Sequence, residues 1–234
     1  MGRFSTLLWD LDGTLLDFLY SQRIAVQQCF TLFDREVTDE MISRYSQIND
    51  SYWKRLELGE VTKEELLVGR FRTLFEEYDV QGIDAAAFCE AYQEALGKVY
   101  CYIDDSLQIC QELKGKVRQY VVTNGSIDTQ INKMKISGLY DVMDGLFISD
   151  EIGTPKPQRG FFDYCLEHIE ERDKGKILIV GDSLSSDIKG GVQAGIATCW
   201  FRSAGTENIS GYQPDYEIRK LCEIFDVLEL PAML

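Results

Sequence analysis

Phe4-Ser5-Thr6-Leu7-Leu8-Trp9-Asp10-Leu11-Asp12-Gly13-Thr14-Leu15-Leu16-Asp17 is the stretch from which the chain is read. A short apolar run, the pattern of a buried strand, ends abruptly in two carboxylates one residue apart and then a glycine. Such a pair does little to stabilise a fold. It is well suited to hold a cation and do chemistry. Asp and Gly are also common turn formers, so Asp10-x-Asp12 acquires meaning only if matching partners occur elsewhere.

Working outward, four more apolar or β-branched runs read as strands: Gln119 to Thr123, Gly145 to Ser149, Lys176 to Val180 and Ile196 to Phe201. Helix-like segments of about 12 to 15 residues separate them, the spacing of βαβ units. The expected fold is α/β, a Rossmann-like parallel sheet flanked by helices. Residues 18–100 read differently. They show helical periodicity, as at Ile24, Gln27, Gln28 and Thr31 around Phe30, and a capping box at Thr62-Lys63-Glu64-Glu65, but no strand runs. A βα loop normally takes about 2 to 6 residues. The expectation is therefore a helical cap domain at 18–100, inserted after the first strand of a core made of 1–17 and 101–234. Gly138, Thr154-Pro155-Lys156-Pro157 and Gly190-Gly191 read as turns or helix ends.

Composition narrows the function classes. The 234 residues carry a formal charge of −15, a field that repels polyanions and disfavours nucleic acid as an extended partner. A small anionic substrate remains compatible, because one cation and one lysine reverse the field locally. Seven scattered cysteines without zinc spacing fit reduced thiols, and Cys165 and Cys199 sit among apolar neighbours. There is no leader pattern and no apolar run of about 20 residues, so the expectation is a cytoplasmic protein without a membrane partner. No phosphate-cradling glycine loop of the nucleotide-binding kinds is present. His168 reads as a helix-side residue away from any strand end.

In an open parallel sheet, ligands bind beyond the carboxyl ends of the strands. Those positions read Asp10, then Thr123-Asn124-Gly125, then Lys156, then Gly181-Asp182 with Asp187 five residues on. The ordered set Asp-x-Asp-Gly-Thr-Leu, Thr-Asn-Gly, Lys-Pro and Gly-Asp-x-x-x-x-Asp resembles the haloacid dehalogenase superfamily of phosphatases from Phe4 to about Phe201. The resemblance implies a nucleophile at Asp10 that forms an aspartyl-phosphate. It implies an acid–base at Asp12, whose surroundings should favour a proton more than those of Asp10. Mg²⁺ would rest on the Asp10 and Asp182 carboxylates and the Asp12 carbonyl, with Asp187 supporting them. Thr123 and the Asn124 amide would hold phosphoryl oxygens, and Lys156 would neutralise charge. The dehalogenase members resemble the chain but lack the second aspartate, because halide leaves without a proton. Asp12 therefore selects an oxygen leaving group.

Further wording is similar to the bacterial house-cleaning pyrimidine 5′-nucleotidases: Asn49-x-x-x-Trp53, Gly59-Glu60-Val61-Thr62, Arg70-Phe71, Ile148-Ser149-x-Glu151-x-Gly153, Phe162-Asp163-Tyr164 and Thr198-Cys199-Trp200. That likeness implies a nucleoside monophosphate as the small phosphorylated partner. Sugar phosphates and other small metabolites are the alternative substrates. A phospho-accepting receiver-like signalling module is the alternative outside enzymes. Trp53 and Phe71 are open to base stacking or to packing, and Arg70 to ligand binding or to pairing with an acid.

Overall fold

The computed structural model describes residues 2–202, 208 and 211–231. Among the described residues, six strands form one sheet: β1 (Thr6–Trp9), β2 (Arg118–Thr123), β3 (Gly145–Ile148), β4 (Ile177–Gly181), β5 (Ala197–Phe201) and β6 (Tyr216–Ile218). Their order is β3-β2-β1-β4-β5-β6, and every neighbouring pair is parallel. β1 lies between β2 and β4, and all four of its residues are buried. That position explains the apolar run Leu7-Leu8-Trp9, since a strand covered on both faces has no polar side to show. The register sets Trp9 beside both Val121 and Val180, so the next residue, Asp10, leaves the sheet at its carboxyl edge.

Among the described residues the α-helices are α1 (Phe18–Leu32), α2 (Asp39–Glu57), α3 (Lys63–Glu77), α4 (Ala85–Leu96), α5 (Ser106–Leu113), α6 (Ile127–Ile136), α7 (Ser149–Ile152), α8 (Arg159–His168), α9 (Lys189–Ala194) and α10 (Ile224–Val227). The chain divides into two compact units, 1–17 with 101–234, and 18–100. In the first, Phe161, Phe162 and Cys165 of α8 pack with Leu8, Val122, Ile177 and Ile179 of the sheet. Gly190 and Gly191 lie at a helix end, within the first turn of α9. A Cβ on Gly190 would stand 2.2 Å from Phe162 Cε2, and one on Gly191 would stand 2.6 Å from Ile179 Cγ2. These glycines let the helix backbone approach its neighbours closely.

The second unit is built from α1 to α4 around Phe30, Tyr45, Phe71, Phe75, Phe88 and Tyr92. Thr62 and Glu65 form the capping box at the start of α3, with Glu65 N donating to Thr62 Oγ1 and Thr62 N to Glu65 Oε2. Phe71 is wholly buried and stacks on Tyr45 at 5.0 Å, so it is a packing residue and not a base platform. Trp53 is half-buried, with the Lys63 ammonium over its ring. Among the described residues Arg70 has no acid partner. It is buried, its Nη1 donates to Asn49 Oδ1 at 2.6 Å, and its guanidinium lies over Tyr92 and Phe71.

The edge strand β6 was not apparent from sequence. It is three residues long and held by the preceding Asp215, whose Oδ2 accepts from Thr198 N and Oγ1 on β5. All seven cysteines are free, and burial raises the thiols of Cys110 and Cys165 well above their ordinary range. Among the described residues, no helix is long and apolar enough to cross a membrane.

Candidate active site at the carboxyl edge of the sheet

Asp10 follows β1, Thr123 ends β2 and Asp182 follows β4, and the parallel register brings all three to one edge. The turn after β1 is shaped by Gly13, whose φ of +94° favours glycine. Space makes the same demand, because a Cβ there would sit 2.6 Å from Asp182 Oδ2. Thr14, wholly buried, joins the two acids: its hydroxyl lies 3.2 Å from Asp10 Oδ2 and accepts from Asp182 N at 3.1 Å. Trp200 Nε1 donates to the Asp182 carbonyl at 2.9 Å and so ties this loop to β5.

Lys156 reaches the site from its loop between two prolines. Its Nζ donates to Asp10 Oδ1 at 2.7 Å, Asp187 Oδ1 at 2.7 Å and the Val122 carbonyl at 2.8 Å. The side chain of Asn124 sets the height of that loop. It donates to the Lys156 carbonyl and accepts from the Lys156 amide, at 2.9 and 2.8 Å. Asp187 is placed by a π-helical turn over Leu184–Ile188, and its Oδ2 accepts from Ser183 N. Thr123, also buried, accepts at Oγ1 from Gly125 N and Gln130 Nε2.

The carboxylate oxygens of Asp10, Asp182 and Asp187 lie within 4.8 Å of one another. Burial lifts Asp10 from 3.8 to about 7: Lys156 pulls it down, while Asp187 and Asp12 push it up. Burial, and next the charges of Asp10 and Asp187, also hold Asp182 well above the carboxylate range. Burial alone would lower the Lys156 ammonium, but Asp10 and Asp187 outweigh it and raise it. Three carboxylates therefore face one ammonium. An all-oxygen, net-negative donor set of this kind fits Mg²⁺.

The side chain of Asp12 turns away from this cluster. Its Oδ1 accepts from Lys133 Nζ at 2.6 Å and its Oδ2 from Gln130 Nε2 at 2.7 Å, both donors on α6. A buried ammonium and an amide thus donate to Asp12, whereas burial disfavours ionised Asp10. Gln130, Lys133 and Thr14 were not singled out from sequence as site residues. Thr14 was visible inside the first motif. The other two sit inside an ordinary helix, where only their three-residue spacing hints at a shared face. His168 is exposed at the end of α8, stacked on Tyr164 at 3.9 Å and apart from the site.

Comparison with known proteins agrees with this architecture. The HAD-hydrolase YfnB of Bacillus subtilis is 35% identical over 230 residues, covering 98% of this chain and 97% of that protein. Its magnesium-bound crystal structure superposes with a TM-score of 0.93, over 97% of this chain and 100% of that one. The pyrimidine 5′-nucleotidase PynA of Streptococcus pneumoniae is 32% identical over 97% of this chain and 95% of its own length. The pyrimidine 5′-nucleotidase YjjG of Escherichia coli is 29% identical over 97% of this chain and 98% of its own. Residues 4–195 match the haloacid dehalogenase-like hydrolases as a family. With that match covering β1 to β4 and the acids Asp10, Asp12, Asp182 and Asp187, the chain belongs to the haloacid dehalogenase-like hydrolase family.

Proposed function

We propose that the protein is a Mg²⁺-dependent phosphomonoesterase that hydrolyses pyrimidine nucleoside 5′-monophosphates through an aspartyl-phosphate on Asp10. The observation that carries this reading is the division of labour between two aspartates two residues apart. Asp10 sits in the cluster with Lys156, while Asp12 is held outside it by Lys133 and Gln130. One carboxylate is thus placed to attack phosphorus and the other to handle the proton of an oxygen leaving group. The likeness to YjjG and PynA supports a nucleotide as that substrate.

The residues act as follows. Lys156 holds Asp10 by Oδ1 and sets a positive charge beside the transferring group. Thr123 already accepts two hydrogen bonds at Oγ1, so its own O–H proton is left to donate to a phosphoryl oxygen. Asn124 contributes its backbone amide to the phosphoryl group while its side chain fixes the Lys156 loop. Mg²⁺ would rest on Asp10, Asp182 and the Asp12 carbonyl, with Asp187 behind them, and when bound supplies charge that offsets the acids and the phosphoryl oxygens. Residues 18–100 would form the cap that selects the leaving group.

The test is phosphate release from uridine and thymidine monophosphates, hexose phosphates and phosphoglycolate, with Mg²⁺ or with EDTA. The pyrimidine nucleotides should lead in kcat/KM by about 10²-fold, and Asp10→Asn should lose about 10³-fold or more. Equal efficiency across the panel would remove the nucleotidase assignment. Undiminished turnover by Asp10→Asn would remove the nucleophile. A phospho-Asp10 that persists without multiple turnover would return the signalling-module reading.

A further inference from the structure

Among the polar side chains that helix α6 buries are Gln130, at 1% exposure, and Lys133, at 0%, three residues apart. Both are directed at the loop after β1. Lys133 Nζ donates to Asp12 Oδ1 at 2.6 Å, and Gln130 Nε2 donates to Asp12 Oδ2 at 2.7 Å and to Thr123 Oγ1 at 2.8 Å. Each oxygen of Asp12 thus has its own donor, from one face of one helix, and the plane of the carboxyl group is set by the pair. Asp12 Oδ2 and Thr123 Oγ1 both accept from Gln130 Nε2, so the nitrogen end of the amide faces them. That orientation leaves Gln130 Oε1 buried without a hydrogen bond.

A third residue belongs to the same device. Gly125 does not adopt a positive φ, so turn geometry does not explain it. A Cβ at that position would stand 2.0 Å from Gln130 Nε2, 2.4 Å from Cδ and 2.6 Å from Cγ. The glycine leaves room for the Gln130 side chain to pass over the backbone after β2 and reach Asp12. A buried ammonium and a half-satisfied amide are poor core residues, and apolar side chains on α6 would pack at less cost. What the pair achieves instead is a fixed Asp12, with Thr123 linked to it through one amide.

We infer that Gln130 and Lys133 are positioning residues that aim the Asp12 carboxyl group at the ester oxygen of the substrate, with Gly125 making room for Gln130. The inference rests on the proposed role of Asp12 in phosphoester hydrolysis. As Asp10 forms its bond to phosphorus and the bond to the ester oxygen breaks, the Asp12 proton passes to that oxygen and the alcohol leaves. Water then attacks phosphorus, its proton returns to Asp12, and the Asp10–phosphorus bond breaks to give inorganic phosphate and both original carboxyl groups. Each Asp12 oxygen has two acceptor sites, so Lys133 and Gln130 each leave one for the travelling proton.

Leaving-group dependence separates aim from mere structure. Because kcat/KM reports phosphoryl transfer to Asp10, it should be measured for uridine monophosphate, whose alkoxide needs a proton, and for p-nitrophenyl phosphate, whose phenolate needs none. In Lys133→Met, Gln130→Met and Gly125→Ala the nucleotide should lose roughly 10²-fold, and the aryl ester less than about fivefold. In an Asp12→Asn background, Lys133→Met should cost nothing further on the nucleotide. Equal losses on both esters, or additive losses with Asp12→Asn, would overturn the inference. Failure of all three variants to fold would also count against it, because residues kept for aim should be dispensable to the core. If the wild-type protein hydrolyses neither ester, the phosphatase reading itself fails. If it hydrolyses both and the variants lose equally, only the present inference does.

Discussion

Replacing Lys156 with methionine removes the ammonium that Asp10 and Asp187 share, each at 2.7 Å, inside a site where Lys156 is 2% and Asp187 1% exposed. Breaking a buried ion pair from one side typically costs about 3–5 kcal/mol. The loss from leaving buried Asp187 without its partner is therefore of that size, about 3–5 kcal/mol. Asp10 adds a dependence on pH whose sign follows from its raised value. In the wild type its folded-state pKa of about 7 exceeds 3.8, so its destabilising effect grows between those values and levels off above pH 7. Without Lys156 it stays protonated beyond pH 7, and the variant goes on losing about 1.4 kcal/mol per unit. Urea unfolding followed by circular dichroism in EDTA, at pH 7.0 and 8.5, should show the deficit widening by about 2 kcal/mol. A deficit below about 1 kcal/mol, or one equal at both pH values, would refute this account of the cluster.

Two further substitutions probe the packing of each unit. Gly190→Ala sets a Cβ 2.2 Å from the buried ring of Phe162 and should cost about 1–3 kcal/mol, read by calorimetry as a Tm lower by about 3–10 °C; an unchanged Tm would show that α9 can withdraw freely. Arg70→Met leaves Asn49 Oδ1 buried without the donor it now has, for a loss of about 1–3 kcal/mol, whereas adding Asn49→Leu should recover most of it. Additive losses in urea would contradict the pairing.

Five of the six strands were legible to within a residue or two because each is an apolar run cut off by a turn. Asp10, Thr123, Lys156 and Asp182 were legible as a group because the end of a parallel strand is where polar residues have a chemical reason to be. β6 was not, since three residues carry no periodicity and its place depends on Asp215 bonding to Thr198. Gln130 and Lys133 escaped for a different reason. In Ile127–Ile136 they look like the solvated side of a helix, and only the packed structure reveals that this side is covered. Gly190 and Gly191 resembled punctuation because close approach between helix and sheet leaves no trace in sequence except the missing side chain. Arg70 shows the same limit: nothing in its neighbours along the chain says that its companions are aromatic rings and an asparagine.

The placement of β1 has a consequence for how the chain is made. Its two neighbours in the sheet begin at Arg118 and Ile177, while the compact unit 18–100 is continuous in sequence. At about 5–20 residues per second, a ribosome takes roughly 5–20 s to pass from Trp9 to the first residue that can pair with it. During that interval the inserted helices can complete their own hydrophobic cluster, while Leu7, Leu8 and Trp9 wait unpaired. The acids of the site are thus assembled last, from segments synthesised at widely separated times. Their mutual repulsion is deferred until the sheet that must bear it already exists.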